Sequence, residues 1–206
     1  PQATPSVQVA HALYKVPNIK TKINLLEFLL KDKSLKRVII FARTKENANN
    51  IYKFIDRKSL GHVRVVHSNK AQNTRINSMN EFKRGELRIL VTTDVTARGI
   101  DIENVTHVIN FDVPYLYEDY VHRIGRTGRA SNEGEAFTFV NEAEEYHIGK
   151  IEALIRTTIP ELQIPKEVEI AKTPFEEKQE MLREIDRQKR KENPDFKGAF
   201  HEKKSK

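Results

Sequence analysis

The sequence predicts an α/β fold: a three-layer sandwich with a mostly parallel sheet, followed by a charged C-terminal tail. Two observations carry that prediction. Short apolar runs, of which RVIIF at residues 37–41 is the clearest, alternate along the chain with segments whose apolar residues recur at helical spacing. RVIIF is continuous rather than alternating, which is the pattern of a strand covered on both faces, and strands joined through helices are parallel.

Taken in order, residues 7–17 (VQVAHALYKVP) form a leading strand stopped at Pro17, which cannot donate to a ladder and restricts the residue before it. Asn18 caps a helix with Ile19, Ile23, Leu26 and Leu30 toward the core and Lys20, Lys22 and Glu27 left for water. After RVIIF, Thr44 is an N-cap for a helix with Ala48, Ile51 and Ile55 along one side, ending near Gly61. A strand at 63–66 follows, then a helix over 71–83 with Ile76, Met79 and Phe82 inward, Gly85 as a stop and a strand at 88–92. The alternation continues with a strand at 105–111, a short helix at 116–124, a strand at 134–140 and a helix over 142–157 carrying Ile148, Ile151, Leu154 and Ile155. Right-handed crossovers between parallel strands follow from these lengths. From Ile164 and Pro165 onward aliphatic residues thin out and charge runs appear, so one domain is expected over 1–165 and a partly helical or disordered tail over 166–206. Within it Thr173 and Pro174 start a helix to about Glu192, whose Phe175, Met181, Leu182 and Ile185 make a thin apolar stripe.

Composition narrows the chemistry. A chain of 206 residues, 38% of them hydrophobic, can bury one sizeable core. Lys and Arg outnumber Asp and Glu by 36 to 29, a formal charge of +7 that suits a nucleic-acid partner and is shared by many unrelated soluble proteins. The absence of cysteine excludes disulfides and thiolate metal sites, and the seven histidines lack paired ligand spacing, so no metal site is expected within the chain. No apolar run approaches the ~20 residues of a membrane span, and PQATPSVQV is not a signal peptide. The expectation is a soluble, cytoplasmic protein with no membrane contact. The first residue is not methionine, as in a piece of a longer polypeptide.

Chemistry concentrates in two stretches, VTTDVTARGID at 91–101 and HRIGRTGR at 122–129. The second sets His122, Arg123, Arg126 and Arg129 among Gly125 and Gly128, crowding cationic donors onto a chain that can turn tightly beside a polyanion. A basic loop that merely meets solvent would explain that segment alone. In parallel sheets, however, ligands collect at the carboxyl ends of strands, where the loops after RVIIF and ILVTT and the helix before Gly125 all belong.

With RVIIFARTK, Gln72-x-x-Arg75, VTTDVTARGID and HRIGRTGR in this order, residues 7–164 resemble the second RecA-like domain of DEAD-box ATP-dependent RNA helicases. The NPDFKGAFHEKK end resembles bacterial members of the RhlE type. Neither a G-x-x-x-x-G-K-[ST] loop nor an acidic tetrad occurs; in the family, the phosphate cradle and the Mg²⁺ site lie on a preceding RecA-like domain of the same polypeptide. The resemblance implies that Arg126 and Arg129 reach across the interdomain cleft to the ATP γ-phosphate and that His122 bonds to the acidic motif of that first domain. It implies that Asp101, with Gly99 beside it, meets the nucleotide at the ribose, and that Arg43, Arg75, Thr93, Arg98 and Gly99 hold the RNA backbone. Arg123 and Phe41 read as structural, and Gln72 as orienting its neighbours. A lone histidine more often packs than reacts, and Asp101 could instead cap a turn. No aromatic stacking platform is evident in the core, so RNA binding should be sequence-independent and salt-sensitive. The isolated domain is expected to have no ATPase activity. The alternatives are a DNA translocase of the same superfamily and an adaptor that has lost catalysis. The tail run REIDRQKRK is either an RNA-binding arm or a solvated helix face. Ribosome-assembly and RNA-decay partners both remain open.

Overall fold

The computed structural model describes residues 9–97, 104–128 and 134–198. Seven strands form one sheet: β1 (Val9–Lys15), β2 (Val38–Phe41), β3 (Val63–Val66), β4 (Ile89–Thr92), β5 (His107–Asn110), β6 (Gly134–Val140) and β7 (Glu161–Leu162). They lie in the order β3-β4-β2-β5-β6-β1-β7, and every pairing is parallel. The helices are α1 (Ile19–Lys31), α2 (Lys45–Arg57), α3 (Gln72–Lys83), α4 (Asp94–Ala97), α5 (Tyr117–Ile124), α6 (Glu145–Ile155) and α7 (Phe175–Glu192).

The central strands explain the three layers. Along β2, Val38 and Ile40 join a core with Leu25, Leu26 and Leu30 of α1 and Ile51 and Ile55 of α2. Ile39 and Phe41 point the other way, into a core with Phe82 of α3, Tyr120 and Ile124 of α5 and Ile151 of α6. All four β2 side chains are buried, so the apolar run needs no polar face.

Local signals fix the helix starts. Asn18 accepts from the Thr21 amide at 2.8 Å, and Thr44 Oγ1 accepts from the Asn47 amide at 3.1 Å. Four expectations fail at helix surfaces. Lys22, expected in water, is 2% exposed because Glu144 and Asp112 receive its ammonium, at 2.7 and 3.5 Å. Ile19 and Ile76, expected in the core, are 49% and 47% exposed, and Leu154 of α6 also faces out. In α1 the buried stripe is Thr21, Lys22, Leu25, Leu26, Leu29 and Leu30, rotated away from Ile19.

The segment after β7 is stitched onto the sheet. Val168 joins the α1-side core, Asn18 Nδ2 donates to the Ala171 carbonyl at 2.7 Å, and Glu177 accepts from the Ile19 amide at 2.7 Å. Helix α7 buries Met181, Asp186 and Gln188, the last donating to the Ala143 carbonyl at 2.9 Å. This lays α7 along the carboxyl edge of the sheet, beside the loops that follow β5 and β6. Among the described residues no helix is long and apolar enough to cross a membrane.

Candidate functional site

Because all strands run the same way, every loop leaving a strand end opens on one edge. Arg43 follows β2, Ser68 follows β3, Thr93 follows β4 and Asp112 follows β5. That edge carries two adjoining clefts.

The first is built around Arg123, which is 1% exposed. Its guanidinium grips Asp94 with two bonds of 2.5 and 2.6 Å and reaches the Asp112 carbonyl at 2.6 Å, over the Phe41 ring. One buried cation thereby ties α4, the end of β5 and α5 together, with the fork geometry that only arginine offers. His122, on the exposed side of α5, stands 3.8 Å from Asp119. Arg126 lies in the turn just past α5 and, with His122, Asp94, Asp119 and Phe41, lines a narrow pocket. That turn is held down by its neighbours: Thr127 Oγ1 donates to the Val105 carbonyl at 2.5 Å. A Cβ on Gly134 would sit 2.0 Å from Thr127 Oγ1 and 2.5 Å from the Gly128 amide, so the start of β6 needs glycine for the turn to lie against it. Gly128 adopts φ +71°, as expected of a tight basic loop. Gly125 does not; at φ −67° it caps α5, its amide donating to the Val121 carbonyl at 2.9 Å, and the room it leaves beside that carbonyl matters more than conformational freedom.

The second cleft is a groove of 640 Å³ lined by Arg43, Lys45, Ser68, Thr93, Tyr115 and Leu116 among others, and again by Asp94 and Asp119. The start of α2 borders it through Thr44 and Lys45, so a helix N-terminus adds its partial positive charge to Arg43 and Lys45. Arg43 is positioned by the buried network beneath it: its amide donates to Asp112 at 2.9 Å, and its guanidinium lies 3.9 Å from Glu144 and 4.3 Å from the centre of the Tyr115 ring. Burial alone would raise the Asp112 carboxyl, but Lys22 and Arg43 hold it below the usual carboxylate value. Burial lowers His147, and nearby Arg43 lowers it further, which favours the neutral imidazole beside that arginine.

Arg43 and Thr93 therefore meet in one groove, and His122 and Arg126 in the adjacent pocket. Arg75 does not line either; it stands in the first turn of α3, where Nη1 donates to Gln72 Oε1 at 3.0 Å. Arg98, Gly99, Asp101 and Arg129 lie outside the described residues. Sequence reasoning passed over Lys45, Ser68, Tyr115 and Leu116, although each follows a strand end and the carboxyl-edge rule could have found them. Among the described residues no group of three His, Asp or Glu side chains is disposed to hold a metal.

Comparison with known proteins gives this geometry a family. The description "Helicase conserved C-terminal domain" matches residues 21–131. The ATP-dependent RNA helicase DbpA of Bacillus subtilis is 44% identical over 165 residues, covering 80% of this chain and 34% of that protein. The chain spans about a third of the length of the curated relatives it matches. Among solved structures, the Escherichia coli DEAD-box protein SrmB, bound to regulator of ribonuclease activity A, superposes with a TM-score of 0.72 at 30% identity, over 81% of this chain and 97% of that one. S. cerevisiae Dbp5 bound to RNA and ADP BeF3 superposes with a TM-score of 0.69 at 29% identity, over 80% of this chain and 42% of that one. The family match spans more than half of the sequence and falls on the strands and loops that build both clefts, so the chain belongs to the helicase conserved C-terminal domain family, as a C-terminal helicase domain of the DEAD-box kind.

Proposed function

We propose that this chain is the second half of an ATP-dependent RNA helicase, supplying cations to ATP bound mainly by a first RecA-like domain and gripping the RNA sugar-phosphate backbone during local unwinding. One observation carries the proposal: Asp94 and Asp119 line both the pocket of His122 and Arg126 and the groove of Arg43 and Thr93. An element shared by two clefts, and locked by Arg123, gives ATP and RNA a common body to act on when the two domains close.

Arg126 and Arg129 serve as arginine fingers. Phosphoryl transfer depends on positioning and on neutralising charge at the γ-phosphoryl oxygens, and a guanidinium fork offered from a second domain contributes about 10³–10⁵ in rate in comparable systems. His122, being exposed on the cleft side of α5, is free to bond to an acidic motif of the first domain. Asp101 accepts the ribose hydroxyls, with Gly99 allowing close backbone approach. Arg43, Arg75, Thr93, Arg98 and Gly99 bond to RNA phosphates, contacts that carry no sequence information. Mg²⁺ belongs to the first domain, since Asp94 is committed to Arg123. The names and contents of the relatives support this reading, and within the family the NPDFKGAFHEKK end favours the RhlE type, with ribosome assembly or RNA decay as the setting.

The test is RNA binding by the chain in fluorescence anisotropy across a salt series. Each phosphate contact should add about 0.7 to the magnitude of the log–log salt slope for a single strand, so Arg43→Ala should flatten the slope by about that amount. Binding that ignores salt would refute the phosphate reading. The chain by itself should not hydrolyse ATP, and magnesium-dependent turnover by the pure chain would refute the division of labour.

A further inference from the structure

We propose that Tyr115 is a stacking platform for a nucleobase of the bound strand, placed at the rim of the phosphate groove. This inference rests on the RNA-binding reading above and adds an aromatic contact to it.

Tyr115 and its neighbour Leu116 are each 56% exposed, among the most exposed large apolar residues described. An exposed aromatic ring usually moves freely, but this one is braced. The Arg43 guanidinium lies 4.3 Å from its centre, and the His147 ring meets it at 5.7 Å with an interplanar angle of 74°. A ring held this way loses little further freedom when it contacts a ligand, so the contact keeps more of its free energy.

The ridge it crowns separates two kinds of surface. On one side is the groove with Arg43, Lys45, Ser68 and Thr93. On the other, between Tyr115 and α7, is a groove of 550 Å³ that shares Arg43 and Glu46 with the first and where Glu177, Glu180 and Glu184 of α7 face Arg183 and Arg187. Arg187 is 3.2 Å from Glu184, and Lys22 is taken up by Glu144 and Asp112, so the α7 side presents more carboxylate than free cation. On the first side Asp94 is paired with Arg123, which leaves Arg43 and Lys45 to draw a phosphate chain, whereas the α7 glutamates disfavour it on the second. An uncharged base, which every nucleotide carries on the flank of its backbone, is the part that can lie over the ridge. Stacking of this kind is tolerant of sequence, because every base has a π-face. It therefore leaves the expected lack of sequence preference intact while contributing affinity that salt does not screen.

The experiment compares a fluorescein-labelled oligouridylate with a strand of the same length built from abasic ribose units, both titrated with the full chain. For the wild type, the base-containing strand should bind about fivefold or more tighter. Tyr115→Ala and Tyr115→Leu should abolish that difference, while Tyr115→Phe should keep it, and Arg43→Ala should weaken both strands alike. If Tyr115→Ala weakens both strands equally, the ring merely positions Arg43 and the stacking proposal is overturned. If Tyr115→Ala has no effect while Arg43→Ala and Thr93→Ala weaken binding, stacking is likewise overturned and the phosphate groove stands. If none of these variants weakens binding, it is the RNA-binding reading of this groove that fails. Tyr115→Leu retains apolar bulk at an exposed site, so a folding defect in Tyr115→Ala would not obscure the result.

Discussion

Replacing Lys22 with methionine preserves the stem and removes the ammonium from a site that is 2% exposed. Glu144 and Asp112, themselves buried, would then face each other with Arg43 as the nearest cation, at 3.9 Å from Glu144. Removing one partner from a buried ion pair costs about 3–5 kcal/mol, because the stranded charge keeps its desolvation penalty. That is a large share of the ~5–15 kcal/mol that holds a domain together. At roughly 2–4 °C per kcal/mol for a chain of this size, Tm should fall by about 6–20 °C. The effect has a pH signature. Lys22 and Arg43 hold Asp112 below the usual carboxylate value against the opposing effect of burial, so its stabilising contribution is fully present above the unfolded pKa of about 3.9 and is lost as pH falls through the lower folded value. In Lys22→Met, the effect of burial on Asp112 is opposed by one cation fewer, so the gap between wild type and variant should be widest near neutral pH and close in acid. Urea denaturation at neutral pH and at about pH 3, below the unfolded carboxylate value, measures this, with Lys31→Met as a control, since the exposed Lys31–Glu27 pair should be worth under about 1 kcal/mol. A loss below about 1 kcal/mol for Lys22→Met, or a gap that does not narrow in acid, would refute the reasoning. Because Asp112 also fixes the Arg43 amide, the same variant should weaken RNA binding.

Other expectations follow from single contacts. Arg123→Lys cannot grip both oxygens of Asp94 and also reach the Asp112 carbonyl, and it should cost about 2–4 kcal/mol in chemical denaturation; a neutral outcome would show that the fork geometry is dispensable. Gly134→Ala drives a methyl into Thr127 and Gly128 and should cost about 1–3 kcal/mol, with the turn carrying Arg126 displaced; an unshifted Tm would mean that the turn yields easily. Asn18→Ala removes the cap of α1 and the donor to the Ala171 carbonyl, for a loss of about 1–2 kcal/mol and faster proteolysis after residue 165; unchanged protection there would show that the C-terminal segment holds on without it.

The sheet was legible because its strands are buried on both faces: the unbroken VIIF of β2 could not belong to a half-exposed strand. Caps at Asn18 and Thr44 were legible because capping is a local event. What failed depends on distant partners. Nothing near Lys22 in the chain announces Asp112 or Glu144, so helical periodicity left the ammonium for water and credited Ile19 with a core position. Helix α4 and the short strand β7 are too brief to show a period. At the candidate site the conspicuous residues were arginines, glycines and a histidine in recognisable strings. Tyr115 belongs to no such string, and only the fold sets its ring beside the Arg43 guanidinium.

The most direct measurement joins this chain to the first RecA-like domain of a DEAD-box relative and follows ATP turnover with and without RNA, for wild type and Arg126→Ala. RNA-stimulated turnover in the joined wild type that collapses in the variant, with RNA binding retained, is the predicted result. Turnover that survives Arg126→Ala would contradict the finger, and a joined wild type that binds RNA without hydrolysing ATP would make this domain part of an RNA-binding adaptor instead.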